Sequence, residues 1–320
     1  MAPTVPQTFF NLASVQAVFD FDKNALFGPS TTGNVPTNWK TFEDQPISAR
    51  SLVDVFANRA PVIRVKEFLT SDECERLLQV VRTHKLGAYD TENTWPRVGI
   101  SGITQYDHIQ GKSMIQGLYA RPLDKNLYFD SVREARSLQE RWKTEAGVDV
   151  IERVIDRLRS VSGMTVRVAS EDDREYFAGI LRAVDRGIGV HADCAIYEAA
   201  GWNISECAAQ LTWNILLNKV PGGDTIVYDR QWLAPDDDIA WRKEFPRDSY
   251  HPQMLQGHPF KAMEAVPGDL TFFNPRNFHE VKACDVSRDH PKPDIRFTVS
   301  SFVGYLPGNS SRPDTIVLWS

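Results

Sequence analysis

The chain has 320 residues, which is enough for one large domain or two modest ones with a core that needs no disulfide or structural metal. Its net charge of -6 and its charged fraction of 24% are ordinary for a soluble protein, and the lack of a long basic tract excludes nucleic acid as an expected partner. No apolar stretch reaches the roughly 18 residues of a membrane span, and the N-terminus lacks the basic and apolar parts of a signal peptide. No CxxC pair occurs among Cys74, Cys194, Cys207 and Cys284, which argues against a zinc knuckle and a disulfide framework. We therefore expect a soluble, cytoplasmic protein with neither nucleic acid nor membrane as a partner.

The first elements of the chain are predicted from turn residues and a helix cap. Residues 1–60 form an N-terminal extension in which Gly, Pro, Ser and Thr predict loops with short elements. A short apolar strand at Val62–Val65 follows. Thr70 or Ser71 then caps a helix, and Glu73 completes a capping box because it stands three residues after Thr70. The helix is predicted to bury an apolar face formed by Leu77, Leu78 and Val81.

Further helices are predicted in the first half of the chain. Two helical stretches lie between about residues 128 and 162, and the second has apolar residues at helical spacing. These residues are Val150, Val154, Ile155 and Leu158. The segment EYFAGILRAVDR, residues 175–186, is also predicted as a helix.

From Gly187 onward the apolar residues recur at every second position, which is typical of strands. The runs LTWNILLNKV, TIVYDRQW, GDLTFFNP and IRFTVSSFVGYL are separated by turns that contain Pro and Gly. Helices followed by antiparallel strands predict one α+β domain built around a sheet sandwich or barrel. We divide this single domain, residues 1–320, into the extension, a helix-rich half at 61–186 and a barrel core at 187–306, with a charged insertion at 234–266 that is predicted to act as a lid.

A histidine and an aspartate stand two residues apart in the run GVHADCAIYE. Successive strand residues point to opposite faces, so His191 and Asp193 project to the same side. Alone, a His-x-Asp pair is often only a surface hydrogen bond. His279, after a later apolar strand and a turn, supplies a second histidine. Two histidines and one carboxylate are the facial triad of non-heme iron(II), which leaves coordination sites open for oxygen chemistry.

An arginine on the last strand suits the cosubstrate that such an iron needs. Iron that activates dioxygen needs two more electrons than a C–H bond provides, and 2-oxoglutarate supplies them by losing carbon dioxide. Arg296 can hold the far carboxylate of 2-oxoglutarate because its fork is permanently charged and bonds carboxylates bidentately. Alternation places Thr298 on the same face, where its hydroxyl can bond the same carboxylate. The alternative for Arg296 is a surface or ion-paired arginine.

The combination of these motifs resembles the iron(II)- and 2-oxoglutarate-dependent dioxygenases. The resemblance rests on His191-Ala-Asp193, PGGDTIVYD, PGDLTFFNP followed by FHEV, and an Arg seventeen residues after the second His. Upstream, PVIRVKEFLTSDECERLL and the helical stretches look like a branch that contains carrier-independent halogenases of indole alkaloids and hydroxylases of aliphatic amino acids. The resemblance covers roughly residues 60–306 and implies a double-stranded β-helix, a jelly-roll barrel, with a supporting layer of helices.

The family resemblance also implies a site and its cofactors. His191, Asp193 and His279 match the iron ligands, and Arg296 matches the 2-oxoglutarate anchor. The implied cofactors are Fe(II), 2-oxoglutarate as cosubstrate and O2. Two further residues, Thr212 and Asn214, either contact the cosubstrate or are satisfied polar residues of the barrel wall.

Residue 193 separates two reactions within this family. Related halogenases have Gly or Ala in place of the carboxylate, so that chloride can coordinate the metal. Because Asp193 is present, we predict an enzyme that hydroxylates an unactivated C–H bond of a small molecule, an amino acid derivative or a natural-product intermediate, while 2-oxoglutarate becomes succinate and CO2. Desaturation and ring closure are variants of the same chemistry.

Four other interpretations stay open at this point. The first is a non-enzymatic metal-binding jelly roll, and the second is a cupin-type enzyme without 2-oxoglutarate. The third is a dinucleotide site, because GIGVHA matches the glycine fingerprint, although that fingerprint requires a strand before it and a helix after it. The fourth concerns Arg182, nine residues before His191, which either pairs with a substrate carboxylate or is a solvated arginine at a helix end. The sequence assigns no oligomeric state.

Overall fold

The computed structural model of the chain describes residues 35–87, 99–104, 125–185, 187–242, 249–286, 294–310 and 312–320. The α-helices are α1 (Ala49–Phe56), α2 (Ser71–Arg82), α3 (Lys125–Ala135), α4 (Ser137–Arg141), α5 (Val150–Ser162), α6 (Ala195–Glu198) and α7 (Asp236–Trp241). A π-helical turn, Trp142–Ala146, follows α4, and 3-10 turns lie at Asn203–Glu206 and Pro252–Leu255.

Fourteen strands are present in the described part of the chain. They are β1 (Val62–Val65), β2 (Gly99–Ser101), β3 (Thr165–Val168), β4 (Ser170–Glu171), β5 (Arg174–Glu175), β6 (Ile180–Val184), β7 (Ile188–His191), β8 (Ala209–Leu216), β9 (Thr225–Gln231), β10 (Phe260–Met263), β11 (Leu270–Phe273), β12 (Asn277–Val281), β13 (Arg296–Leu306) and β14 (Thr315–Trp319).

Two sheets face each other and enclose the barrel interior. The larger sheet has the order β1-β11-β8-β13-β14-β3, with β6 paired to the first half of β13 and β2 paired to β6. The smaller sheet has the order β10-β9-β12-β7. Apolar residues of both sheets, Val62 and Phe273 on one and Val227 and Met263 on the other, pack in one buried cluster. This jelly-roll architecture with helices outside confirms the predicted α+β double-stranded β-helix.

The helical layer covers the outer face of the larger sheet. Helix α2 begins at the N-cap Thr70, whose side chain accepts a hydrogen bond from the Glu73 amide while Glu73 caps in return, so the predicted capping box is confirmed. The predicted apolar faces of α2 and α5 are also confirmed. They pack on strand residues of β8 and β13 whose side chains are fully buried, namely Leu211, Trp213, Ile215 and Val299.

The helix predicted at 175–186 is wrong for the described residues 175–185, which contain the end of β5 and all of β6. Strand β6 pairs antiparallel with β13 on one side and with β2 on the other. A short apolar run has no period that separates a buried strand from a buried helix, so its neighbours in the sheet decide the structure. The dinucleotide interpretation still fails, since residues 188–191 of GIGVHA are themselves strand β7, where the fingerprint requires the turn into a helix.

The insertion is charged, but several of its charges are buried in ion pairs. Asp238 accepts hydrogen bonds from Arg242 at 2.9 Å and from the Tyr250 hydroxyl at 2.6 Å. All three side chains are buried. The Tyr250 amide donates to the carbonyl of Val190 at 2.8 Å, which attaches the returning segment to the edge of β7. The described part of the insertion therefore extends the barrel wall, and its role as a lid stays a prediction.

Within the described residues, no helix is long and apolar enough to span a membrane.

Candidate metal centre

His191, Asp193 and His279 lie together at one end of the smaller sheet. The antiparallel pairing of β7 with β12 sets His191 directly opposite His279, and their ring centroids are 4.1 Å apart. The chain leaves β7 after His191, and the Asp193 amide donates to the carbonyl of Pro275 at 2.9 Å. This bond turns the Asp193 carboxylate to within 3.6 Å of Nε2 of His279. One donor atom from each of the three residues lies within 4.8 Å of the other two.

Backbone carbonyls orient both imidazole rings. Nδ1 of His191 lies 2.8 Å from the carbonyl oxygen of Gly189, and Nδ1 of His279 lies 2.9 Å from that of Asn277. A carbonyl oxygen only accepts hydrogen bonds, so Nδ1 carries the proton in both rings and Nε2 keeps its lone pair. This is the arrangement that a metal-binding histidine requires.

The electrostatics of the three groups fit a bound cation. Burial lowers the pKa of His279 well below its ordinary value of 6.5, so its ring is neutral and can donate a lone pair. Burial raises the pKa of Asp193, against the opposing effect of nearby positive charges. A divalent cation would relieve the cost of this desolvated carboxylate and would satisfy both free lone pairs. The donor set of two imidazoles and one carboxylate suits iron(II).

A second polar pocket lies farther along the barrel interior, on β13. Arg296 is 9% exposed and Thr298 is 5% exposed, and both point inward. Burial lowers the pKa of Arg296 to about 10. Neither Nε of Arg296 nor Oγ1 of Thr298 has a hydrogen-bond partner, and no described carboxylate forms an ion pair with Arg296. A buried, unpaired guanidinium is costly, so this pocket favours an anionic ligand.

Thr212 and Asn214 lie on the same inward face of the neighbouring strand β8. The Thr212 hydroxyl donates to the backbone carbonyl of Ser301 at 3.3 Å, which favours the interpretation as a satisfied wall residue. Asn214 stands opposite Ser300 on β13 and Thr271 on β11, and its side-chain amide bonds no described residue. Asn214 is therefore the better placed of the two to contact a ligand.

A buried network that the sequence did not reveal supports His279. The side-chain amide of Asn277 donates to the side-chain oxygen of Asn58 at 2.7 Å. The side-chain amide of Asn58 donates in turn to the carboxylate of Asp229 at 2.9 Å. The ring of Phe273 packs edge-on against His279, with centroids 4.9 Å apart. In the sequence, the available sign of this network was Asn277, which stands two residues before His279. The other contacts join segments that are far apart along the chain.

Comparisons of the sequence identify a family and two relatives. The family model described as "Carrier-protein-independent halogenase WelO5" matches residues 40–320. The leucinostatins biosynthesis cluster protein S of Purpureocillium lilacinum is 40% identical over 234 residues, which are 72% of this chain and 89% of that protein. The L-gamma-glutamyl-L-propargylglycine hydroxylase of Streptantibioticus cattleyicolor is 27% identical over 206 residues, which are 62% of this chain and 68% of that protein.

A solved structure shares the fold. An N-substituted L-amino acid dioxygenase from Burkholderia ambifaria superposes with a TM-score of 0.53 at 13% identity, covering 85% of this chain and 91% of that one. At this identity the likeness concerns the fold alone, and it agrees with the jelly-roll barrel described above.

Proposed function

Since the chain belongs to the carrier-protein-independent halogenase WelO5 family and is an iron(II)- and 2-oxoglutarate-dependent dioxygenase, we propose that it hydroxylates an unactivated C–H bond of a small molecule. Its cofactors are Fe(II), 2-oxoglutarate and O2. The proposed substrate is an amino acid derivative or a natural-product intermediate, and 2-oxoglutarate is converted to succinate and CO2.

We assign the iron to His191, Asp193 and His279. Their donor atoms converge, both histidines present Nε2, and the partly buried carboxylate favours a cation. When bound, iron(II) and 2-oxoglutarate together reduce dioxygen to an oxidant strong enough to break an unactivated C–H bond. These three residues would hold the metal through three protein ligands, which would leave coordination sites for the cosubstrate and dioxygen.

We assign the far carboxylate of 2-oxoglutarate to Arg296 and Thr298. Arg296 supplies a charged fork in a pocket from which water is largely excluded, and the Thr298 hydroxyl can donate to the same carboxylate. Both groups have unsatisfied hydrogen-bonding atoms, which this ligand would satisfy. Asn214 and Thr212 line the wall beside this pocket, and we propose a cosubstrate contact for Asn214 first.

The observation that supports hydroxylation over halogenation is the carboxylate at position 193. Its Oδ2 lies 3.6 Å from Nε2 of His279, at the centre of the triad. Because this carboxylate fills the ligand position that halogenases of the family leave to chloride, oxygen transfer is favoured. Halogenation is the second candidate, and the family match supports it.

Mass spectrometry of a substrate panel distinguishes these reactions. We would incubate N-substituted amino acids with the enzyme, iron(II), ascorbate and 2-oxoglutarate, with and without chloride and bromide. One relative is named as a hydroxylase of L-gamma-glutamyl-L-propargylglycine, an amino acid with a substituted nitrogen, which motivates this panel. The proposal predicts products that gain one oxygen atom, independent of halide. Products that gain a halogen in place of hydrogen would contradict it, and loss of two hydrogens would indicate desaturation or ring closure.

A further inference from the structure

Several guanidinium groups of the barrel and its insertion are buried or half-buried, and they differ in whether an acid neutralises them. Arg242 forms a buried ion pair with Asp238 at 2.9 Å, and Arg230 forms one with Asp237 at 2.7 Å. Arg296 has no such partner among the described residues, but the proposed cosubstrate carboxylate would neutralise it. Arg182 also lacks a carboxylate partner in the described part of the chain, and the proposed function gives it none.

Arg182 projects into the same interior as the metal ligands. It lies on β6, directly opposite Thr298 of β13, so both side chains share the inward face. Its Nη1 donates to the hydroxyl of Ser300 at 2.7 Å, which holds the guanidinium beside the cosubstrate pocket. The expectation of a solvated arginine at a helix end is therefore wrong, because Arg182 is half-buried in the middle of a strand.

The charges of the occupied site balance only if one more anion binds. Iron(II) is neutralised by the Asp193 carboxylate and one carboxylate of 2-oxoglutarate. The other carboxylate of 2-oxoglutarate neutralises Arg296. Arg182 then remains half-buried and without a carboxylate partner among the described residues, a position that favours an anionic ligand.

We propose that Arg182 binds a carboxylate of the substrate, so that the enzyme takes a carboxylic acid; this inference rests on the function proposed above. Ser300 occupies Nη1, and no described residue bonds the other guanidinium nitrogens. These nitrogens form a fork that can bond a carboxylate bidentately. Arg182 faces the barrel interior from the strand beside β13, so a substrate held there would lie in the same interior as the triad and the cosubstrate pocket. Arg182 is thus a specificity residue, distinct from the cosubstrate anchor.

Binding experiments can test this without knowledge of the product. The probes are N-acetyl L-amino acids and the matching N-acetyl amino acid amides, which differ in the charge of one group. They are titrated anaerobically into the iron(II) and 2-oxoglutarate complex, and binding is followed by the change in its visible charge-transfer band and by the rise in Tm. We expect at least one acid to bind and its amide to bind roughly 10- to 100-fold more weakly, as for loss of a charged hydrogen bond.

Two variants test whether Arg182 binds the substrate or 2-oxoglutarate. Arg182→Gln should weaken binding of the acid by roughly 10- to 100-fold while leaving the affinity for 2-oxoglutarate unchanged. Arg157→Gln, an exposed position on α5, is the matched control and should change neither affinity. If Arg182→Gln instead loses affinity for 2-oxoglutarate, Arg182 serves the cosubstrate and the inference is overturned.

Failure of the inference and failure of the proposed function give different results. If the wild-type protein forms the charge-transfer band but no acid binds, or acids and amides bind equally, the inference alone is overturned. If the wild-type protein forms no band with iron(II) and 2-oxoglutarate, the proposed function fails and the inference fails with it.

Discussion

The two faces of the larger sheet carry different kinds of buried residue. On β8, Leu211, Trp213 and Ile215 are fully buried under the helices, while Thr212 and Asn214 alternate with them and face the barrel interior. The outer face is apolar and packed, which is how a sheet stabilises a fold. The inner face contains polar and charged groups without partners, which cost free energy in the empty barrel. The apolar outer face therefore stabilises the fold. The polar inner face lowers the stability of the ligand-free protein but supplies groups that can bind ligands.

The largest expected effect is on activity, from removal of a proposed metal ligand on the inner side. His191→Ala should abolish stoichiometric iron binding and reduce succinate formation by more than the roughly 100-fold that loss of a supporting residue costs. His84→Ala, a half-buried histidine just after α2, is the control and should keep both. Iron content and succinate production measure the two outcomes. Iron binding that survives His191→Ala would remove this residue from the site.

Neighbouring residues on one strand test the contrast between the faces directly. Ile215→Ala on the outer face should lower the free energy of unfolding by about 2–5 kcal/mol, since it leaves a cavity under the helices. Asn214→Ala on the inner face should lower it by less than about 0.5 kcal/mol, because its amide bonds no described residue. Urea denaturation of the metal-free proteins measures both. Equal losses would show that the inner face also stabilises the fold.

Arg296 should show opposite effects on binding and stability. Arg296→Met keeps the length of the side chain and removes a buried, unpaired charge, so the Tm of the ligand-free protein should stay the same or rise. The affinity for 2-oxoglutarate should fall roughly 10- to 100-fold. Thermal unfolding with and without 2-oxoglutarate reports both quantities. A lower Tm with unchanged affinity would mean that Arg296 is structural.

A modest, pH-dependent effect on stability is expected in the helical layer, at the Glu73–Arg153 ion pair that joins α2 to α5. The hydrogen bond from Arg153, at 2.7 Å, lowers the pKa of Glu73 from 4.5 to about 2. A carboxyl group with a lowered folded-state pKa stabilises the protein above its unfolded pKa and loses this effect as pH falls towards the folded value. Because Arg153 is 37% exposed, solvent screening limits the contribution to about 1 kcal/mol.

Glu73→Gln isolates this pair, since glutamine keeps the capping box and removes the charge. Urea denaturation should show the variant about 1 kcal/mol less stable at neutral pH, with a difference that shrinks as pH falls below 4.5. A difference that is independent of pH would contradict the assignment.

Local signals predicted the capped helix and the inward alternation of Arg296 and Thr298, because both depend on residues close in sequence. The convergence of His191 with His279 needed a recognisable combination of distant motifs. Segment 175–186 was predicted as a helix because FAGILRAV is compatible with either structure until β13 and β2 pair with it. The buried pairing of Asp238 with Arg242 was not predictable either, since a run of charges gives no sign of the core that surrounds it.

The central claim is that three protein side chains hold iron(II) beside an arginine that holds 2-oxoglutarate. Anaerobic titration of the metal-free protein with iron(II) and 2-oxoglutarate, followed in the visible range with and without chloride, tests it most directly. The account predicts a charge-transfer band that reaches its end point at one iron per chain, is unaffected by chloride and is absent from His191→Ala. A protein that forms no band, or that needs chloride to form it, would contradict the account.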